Sequence, residues 1–310
     1  MEEDGCLNSF LTPVCYYIMM REPWKEKTIR LLLLGAAMTA IVIVALIFVF
    51  LGKESLPIVH DSNASSLLGT RWNPVSFERP VYGMIPLIVG SVLVTLLATL
   101  VAVPFGVIGA VYIAEVAKPA EREFFKPFIE LLAGIPSVVI GFFGLVVLSP
   151  IVKSLFHLQS GQSAFTGALL LALMSIPTII TISEDAIRSV PASYKEASLS
   201  LGASPLQTLW RVTVPAALSG IIAAVMLGIG RVIGETMAVM MVTGNAAIIT
   251  ASPFESVRTM TATIAAEMGE VAYGSPHYRA LFCVGIVLLL ATFALNTIAL
   301  RVMKKYRMGT

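Results

Sequence analysis

Arg231 and Glu235 stand four residues apart inside a long apolar run, GIGRVIGETMAVMMVTGN (Gly228 to Asn245), and they are the residues of this chain best placed to do chemistry. Each ionised group at mid-bilayer costs about 2.5–3.5 kcal/mol on insertion scales, so two such groups on one helix face must meet protein or a water-filled path. Two readings follow from the spacing. In one, the pair is an i, i+4 salt bridge that fixes helix packing. In the other it handles an ion: a guanidinium stays protonated and offers planar, bidentate donors to oxyanion oxygens, with the carboxylate and the neighbouring Thr236 beside it. Gly230 and Gly234 form a G-x-x-x-G that would let another helix approach closely.

Other candidates carry less. The segment GIPSVV breaks an apolar run, because Pro136 disfavours helix in the residue before it; Ser137 could then cap a new helix start whose free N–H groups face an anion, or the break is a packing kink. Ser91, Thr95 and Thr99 make a polar stripe suited to bonding between helices. Glu184 and Asp185 read as solvated or salt-bridged groups. His60, His157 and His277 lack ligand spacing, and Cys6, Cys15 and Cys283 lack disulfide or metal spacing. With no nucleophile and base arrangement, no metal cluster and no G-x-x-x-x-G-K-[ST], the expectation is a chain without catalysis of its own or cofactor.

The elements that must hold these residues are membrane helices. Of the 310 residues, 57% are hydrophobic and 13% charged, and the mean hydropathy is +0.87. That is the composition of an integral membrane protein. Six stretches are long enough to cross a hydrocarbon core of about 20 residues: Ile29 to Gly52, Met84 to Ala114, Phe128 to Val152, Ala164 to Ile182, Ala217 to Thr243 and Ala280 to Met303. The first has charged residues before it and no small-residue cleavage site after it, which predicts an uncleaved anchor. Lys and Arg concentrate in alternate connections: Arg21 to Arg30, Lys118 to Lys126, Arg188 to Arg211, and Arg301 to Arg307. By the positive-inside rule those segments and both termini face the cytoplasm. Outside lie the segment 53–80, a short turn near His157, and Gly244 to Arg279, in which PFESVRTMTATIAAEMGE is expected to form an amphipathic helix at the outer surface.

Between two apolar spans sits a polar insert, EASLSLGASPLQTLWRVTVP (Glu196 to Pro215). Ser193 and Glu196 have capping-box spacing, Gly202 suits a helix C′ position, and Ser204 with Pro205 suits a second N-terminus. Two short helices with a glycine elbow are predicted, with Ala197 and Leu201 as a small apolar stripe. Helices of about two turns are marginal alone, so the insert needs a surface to dock on.

The order Glu196, Ala197, Ser198, Gly202, Val212, Val214, Pro215 resembles the EAA loop of type I ABC importer permeases, usually E-A-A, three residues, G, nine residues, I-x-L-P. Here Ser198 stands for the second alanine and valines stand for Ile and Leu. IELLAGIPSVVIGFFG (Ile129 to Gly144), SEDAIRSVP (Ser183 to Pro191) and the Gly228 to Asn245 run narrow the likeness to phosphate importer permeases, nearer the PstC type than the paralogous PstA type. The resemblance covers the chain from about Tyr82 onward.

That resemblance implies an all-α, six-span integral membrane protein with a MetI-like ABC type-1 permease core over 82–303. The rest would be a cytoplasmic segment 1–28, a first span 29–52, an outer loop 53–80, a coupling loop 193–215 within the core and a cytoplasmic tail 304–310. It implies a bacterial or archaeal inner membrane and phosphate as cargo, with a PstA-type permease, a PstB-type ATPase dimer and a PstS-type phosphate-binding protein as partners. Membrane lipid would surround the spans, and nucleic acid has no part. In that setting Arg231 would attract the anion, and Glu235 would orient it and prevent a trap. Another oxyanion such as sulfate or molybdate, an ion-coupled secondary transporter, and a membrane scaffold that signals phosphate status are the competing readings.

Overall fold

The computed structural model describes residues 23–61, 64–76 and 79–306. Contacts divide the chain into two units, Met1–Lys53 and Glu54–Thr310. Cys6, Cys15 and Arg21 lie outside the described residues. The first unit carries most of α1 (Pro23–Asp61), whose most apolar window has no buried side chain. A helix apolar all round needs hydrocarbon or other protein about it.

In the second unit, α2 (Ala64–Leu67) and a two-stranded ribbon, β1 (Trp72–Asn73) antiparallel to β2 (Val81–Tyr82), precede the bundle. Among the described residues, this ribbon and an isolated bridge between Gly244 and Val257 are the β structure in an otherwise helical fold. The bundle follows as α3 (Ile85–Val111), α4 (Pro119–Gly134), α5 (Ser137–Phe143), α6 (Ser149–Leu155), α7 (Ala164–Arg188), α8 (Ala192–Ser200), α9 (Pro205–Thr208), α10 (Val214–Ala216), α11 (Leu218–Gly234), α12 (Met237–Val242), α13 (Met260–Glu267) and α14 (Pro276–Tyr306). Three π-helical turns, Tyr112–Val116, Gly144–Leu148 and Leu209–Thr213, adjoin α3, link α5 to α6, and join α9 to α10.

The centre is α7, with α3 on one side and α11 on another. Small residues make this possible. A Cβ at Gly106 of α3 would lie 2.7 Å from Ile179 Cγ2, one at Gly228 of α11 2.6 Å from Ile179 Cγ1, and one at Gly220 2.4 Å from Ala186 Cβ. Ala98, Ala102 and Ala110 are fully covered on the same face of α3. Close approach through Gly and Ala is how helices gain packing where lipid gives no hydrophobic drive.

Among the described residues, five helical stretches are long and apolar enough to span: Glu26–Ile58, Ile85–Val116, Ser137–Leu155, Ala164–Arg188 and Pro276–Lys304. A sixth exists if Pro205–Ala216 and Leu218–Gly234, bent by 67°, count together. Two expected spans are therefore redrawn. The third begins at Ser137 and not at Phe128, because the break expected at GIPSVV forms: Ile135 is extended (ψ 129°) before Pro136 and separates α4 from α5. The fifth does not run to Thr243, because α11 ends at Gly234.

The amphipathic helix expected at the outer surface is also corrected. Its helical part is only α13, capped by Thr259, with Met260, Thr261, Ala262 and Thr263 buried. The chain turns inward there because Gly90 leaves room: a Cβ on it would sit 2.4 Å from the Arg258 carbonyl oxygen, and Ser91 Oγ accepts from Met260 N at 2.9 Å.

Candidate functional site

The helix break at Glu235 organises the first candidate site. α11 stops at Gly234, Glu235 is extended (φ −70°, ψ 133°), and α12 resumes at Met237. Arg231 and Glu235 are thus not on one helix face, and they form no ion pair; Arg231 Nη1 donates to Thr178 Oγ1 of α7 at 3.1 Å. Glu235 Oε1 accepts from Ala238 N at 3.3 Å, and its carbonyl accepts from Thr261 Oγ1 at 2.9 Å. The carboxylate therefore sits at the N-terminus of α12, where a helix favours negative charge. Thr236 Oγ1 bonds only locally, to the Gly234 carbonyl at 3.2 Å. The salt-bridge reading does not survive this geometry, and the guanidinium keeps most of its five donors.

A small pocket adjoins the break. Ser91, Thr95, Thr259, Thr261 and Glu235 line it with apolar neighbours, and its roughly 10 Å³ is about enough for one water. That volume is too small for an oxyanion. The Ser91 and Thr95 part of the predicted stripe faces this space, and the buried Thr99 hydroxyl has no partner.

Gly230, Gly234 and Ser137 lie near the break. A Cβ at Gly230 or Gly234 would meet nothing within 4 Å, so no described residue of this chain uses their close-approach face. Ser137 is the first residue of α5 and not its cap, since Pro136 occupies the cap position with ψ 136°. No hydrogen bond joins Ser137 to Arg231, Glu235 or Thr236.

The polar insert is the second candidate site. Helix α8 starts at Ala192 directly after Pro191, which places Ser193 inside the first turn; the Ser193 and Glu196 capping box does not form. Gly202 behaves as predicted. At φ +86° it closes a Schellman motif, with its N–H donating to the Leu199 carbonyl at 2.9 Å and Ala203 N to the Ser198 carbonyl at 3.2 Å. Ser204 caps α9, Pro205 takes the first position, and a capping box with Gln207 forms that the sequence reading missed. Glu196, Ala197 and Leu201 all point outward, Leu201 at 89% exposed, and Tyr194, Leu206 and Trp210 share the exposed surface. Pro215 sits in the short α10 that leads to α11.

Polar links anchor this loop. Lys195 Nζ pairs with Glu115 Oε1 in the π-helical turn after α3, and Ser198 Oγ bonds Thr208 Oγ1 at 2.9 Å. Nearby, Glu184 is 2% exposed and holds Arg122 at 2.8 Å, Lys126 at 3.4 Å and Arg188 at 3.9 Å, tying α4 to α7. Elsewhere Glu267 gathers Arg258 at 2.5 Å, His277 at 2.8 Å and Trp72 Nε1 at 3.1 Å. Trp72 meets Tyr82 and His277 edge-on beside it, and burial raises the Tyr82 phenol above its ordinary pKa, so it stays neutral. Of these anchors, Thr178, Thr261 and Glu115 had no signal in the sequence; Glu184 was singled out without its partners.

A multi-pass bundle with an exposed two-helix loop and an interrupted, charged span defines a membrane transport component. Residues 102–307 match the family described as binding-protein-dependent transport system inner membrane component, and the chain belongs to that family. It is 40% identical over 267 residues to the probable ABC transporter permease protein YqgH of Bacillus subtilis strain 168, covering 85% of this chain and 86% of that one. To the phosphate transport system permease protein PstC of Mesorhizobium japonicum it is 34% identical over 284 residues, covering 86% of each.

Solved structures agree on the fold. A bacterial alginate ABC transporter, crystallised with a periplasmic protein bound to alginate pentasaccharide, aligns with a TM-score of 0.64 at 14% identity, over 92% of this chain and 99% of that one. The inward-facing MetNI methionine ABC transporter aligns at 0.54 and 20% identity, over 72% and 97%. The fold is that of the MetI-like ABC permeases.

Proposed function

We propose that this chain is the PstC-type permease subunit of an ATP-driven importer of inorganic phosphate. The observation that carries the reading is Arg231, a guanidinium held within a span by a neutral hydroxyl and by no carboxylate of the described residues. A membrane segment keeps an unpaired cation at a cost, and anion passage offsets it. The likeness to phosphate permeases supports phosphate over other oxyanions.

In this reading the core runs over 82–303, preceded by the segment 1–28, the span 29–52 and the loop 53–80. Both termini and the 193–215 loop face the cytoplasm of a bacterial or archaeal cell. A PstA-type permease completes the pathway, a PstB-type ATPase dimer docks on Glu196, Ala197, Ser198, Gly202 and Pro215, and a PstS-type protein delivers phosphate outside. ATP binding draws the loops together and opens the path outward; hydrolysis returns it inward. Arg231 attracts the anion, and Thr236 and Ser137 border the path. Glu235, with its carboxylate at the break, accepts a hydrogen bond from protonated phosphate, which sulfate cannot offer. Uptake of labelled phosphate by the assembled complex tests the reading: Arg231→Lys and Glu235→Gln should each lower it, and transport near wild type in both at normal membrane levels would refute the pathway role.

A further inference from the structure

Helix α8 has no buried residue. A nine-residue helix this exposed cannot hold its place by propensity alone, so what fixes it to the bundle decides where its movements go. The second half of the loop is packed apolarly: Leu209 is buried in one core cluster with Val111 of α3 and Ile113 of the π-helical turn after it. The first half is not. Lys195 Nζ reaches Glu115 Oε1 across the rim of a groove of about 440 Å³, and Ser198 Oγ meets Thr208. Among the described residues no other ion pair joins the loop to a spanning helix. Both landing points lie on or next to π-helical turns, Tyr112–Val116 and Leu209–Thr213, irregular segments that recur at functional sites.

We infer that the Lys195–Glu115 ion pair is a transmission strut, through which displacement of α8 moves the end of α3. Both side chains are half-buried, so the pair is less screened than a surface bridge and can bear on backbone position. It is a positioning pair: neither group need touch cargo or nucleotide. The inference rests on the proposed docking of an ATPase at this loop.

The test uses the complete complex in proteoliposomes, with the paralogous permease, the ATPase and the binding protein. Lys195→Met and Glu115→Gln should each leave assembly and ATP hydrolysis near wild type while phosphate moved per ATP falls about fivefold or more. The charge exchange, Glu115→Lys with Lys195→Glu, should restore the ratio. Spin labels at the exposed Leu100 on α3 and Leu290 on α14 provide a readout without cargo: their ATP-dependent change in separation should persist in wild type and exchange variant and be lost in the singles. A wild-type complex that moves no phosphate refutes the importer reading alone, since the label distances still test the strut. Singles with an unchanged transport ratio and unchanged label shift overturn the strut, as does a single variant that merely fails to assemble while its exchange partner does not recover.

Discussion

Arg231 bonds to Thr178 at 3.1 Å and not to Glu235, although four residues separate the two charges in sequence. The helix between them ends at Gly234, and the carboxylate is spent on the next helix. Two charges that would have neutralised each other are left to serve separate neighbours.

Their energetic independence is measurable. A double-mutant cycle with Arg231→Met and Glu235→Gln, read by thermal unfolding in detergent, should give a coupling below about 0.5 kcal/mol, the level of sites without shared partners. A coupling several times larger would mean that the charges meet in solution.

Transport should respond differently from stability. Losing a charge-assisted contact to an anion costs about 1.5–3 kcal/mol, so Arg231→Ala should lower phosphate uptake on the order of tenfold or more. Glu235→Gln should weaken discrimination against sulfate, measured by competition in the same uptake assay.

Glycines on opposite faces of α11 should behave oppositely. Gly228→Val forces a side chain into Ile179, and overpacking of this kind costs about 1–3 kcal/mol. Gly230→Ala meets open space inside a helix and should raise the isolated chain's melting temperature slightly, since alanine favours helix over glycine by about 0.5–1 kcal/mol. If that face receives the second permease, Gly230→Leu will reduce co-purification of the heterodimer without lowering the stability of this subunit.

Loop variants should separate docking from folding. Gly202→Pro is incompatible with φ +86°, and Glu196→Arg reverses an exposed charge; both should reduce ATPase co-purification and transport while the spans retain their helical circular dichroism. Normal ATPase binding and normal uptake in both variants would remove the docking assignment.

Much of this was legible in sequence because it rests on local chemistry. Gly202, Ser204 and Pro205 specify the loop's turn and second helix start through backbone preferences that need no tertiary context. Hydrophobic length located most spans for the same reason. The break at Glu235 was not legible: apolar composition continues through Met237 to Val242, and what ends the helix is the Thr261 hydroxyl on its carbonyl and the carboxylate on the next N-terminus. The Ser193 and Glu196 capping box failed because Pro191 starts the helix earlier. Partners distant in sequence, such as Glu115 with Lys195 or Arg122 with Glu184, are set by packing that spacing cannot express.

The most direct measurement is ATP-dependent accumulation of radiolabelled phosphate by proteoliposomes holding this chain with its paralogous permease, ATPase and binding protein. Wild type should accumulate phosphate only with ATP and the binding protein, sulfate should compete poorly, and Arg231→Ala should slow accumulation about tenfold or more while the complex stays assembled. Accumulation at the wild-type rate in assembled Arg231→Ala, or accumulation that runs on a proton gradient without the ATPase, would contradict the account.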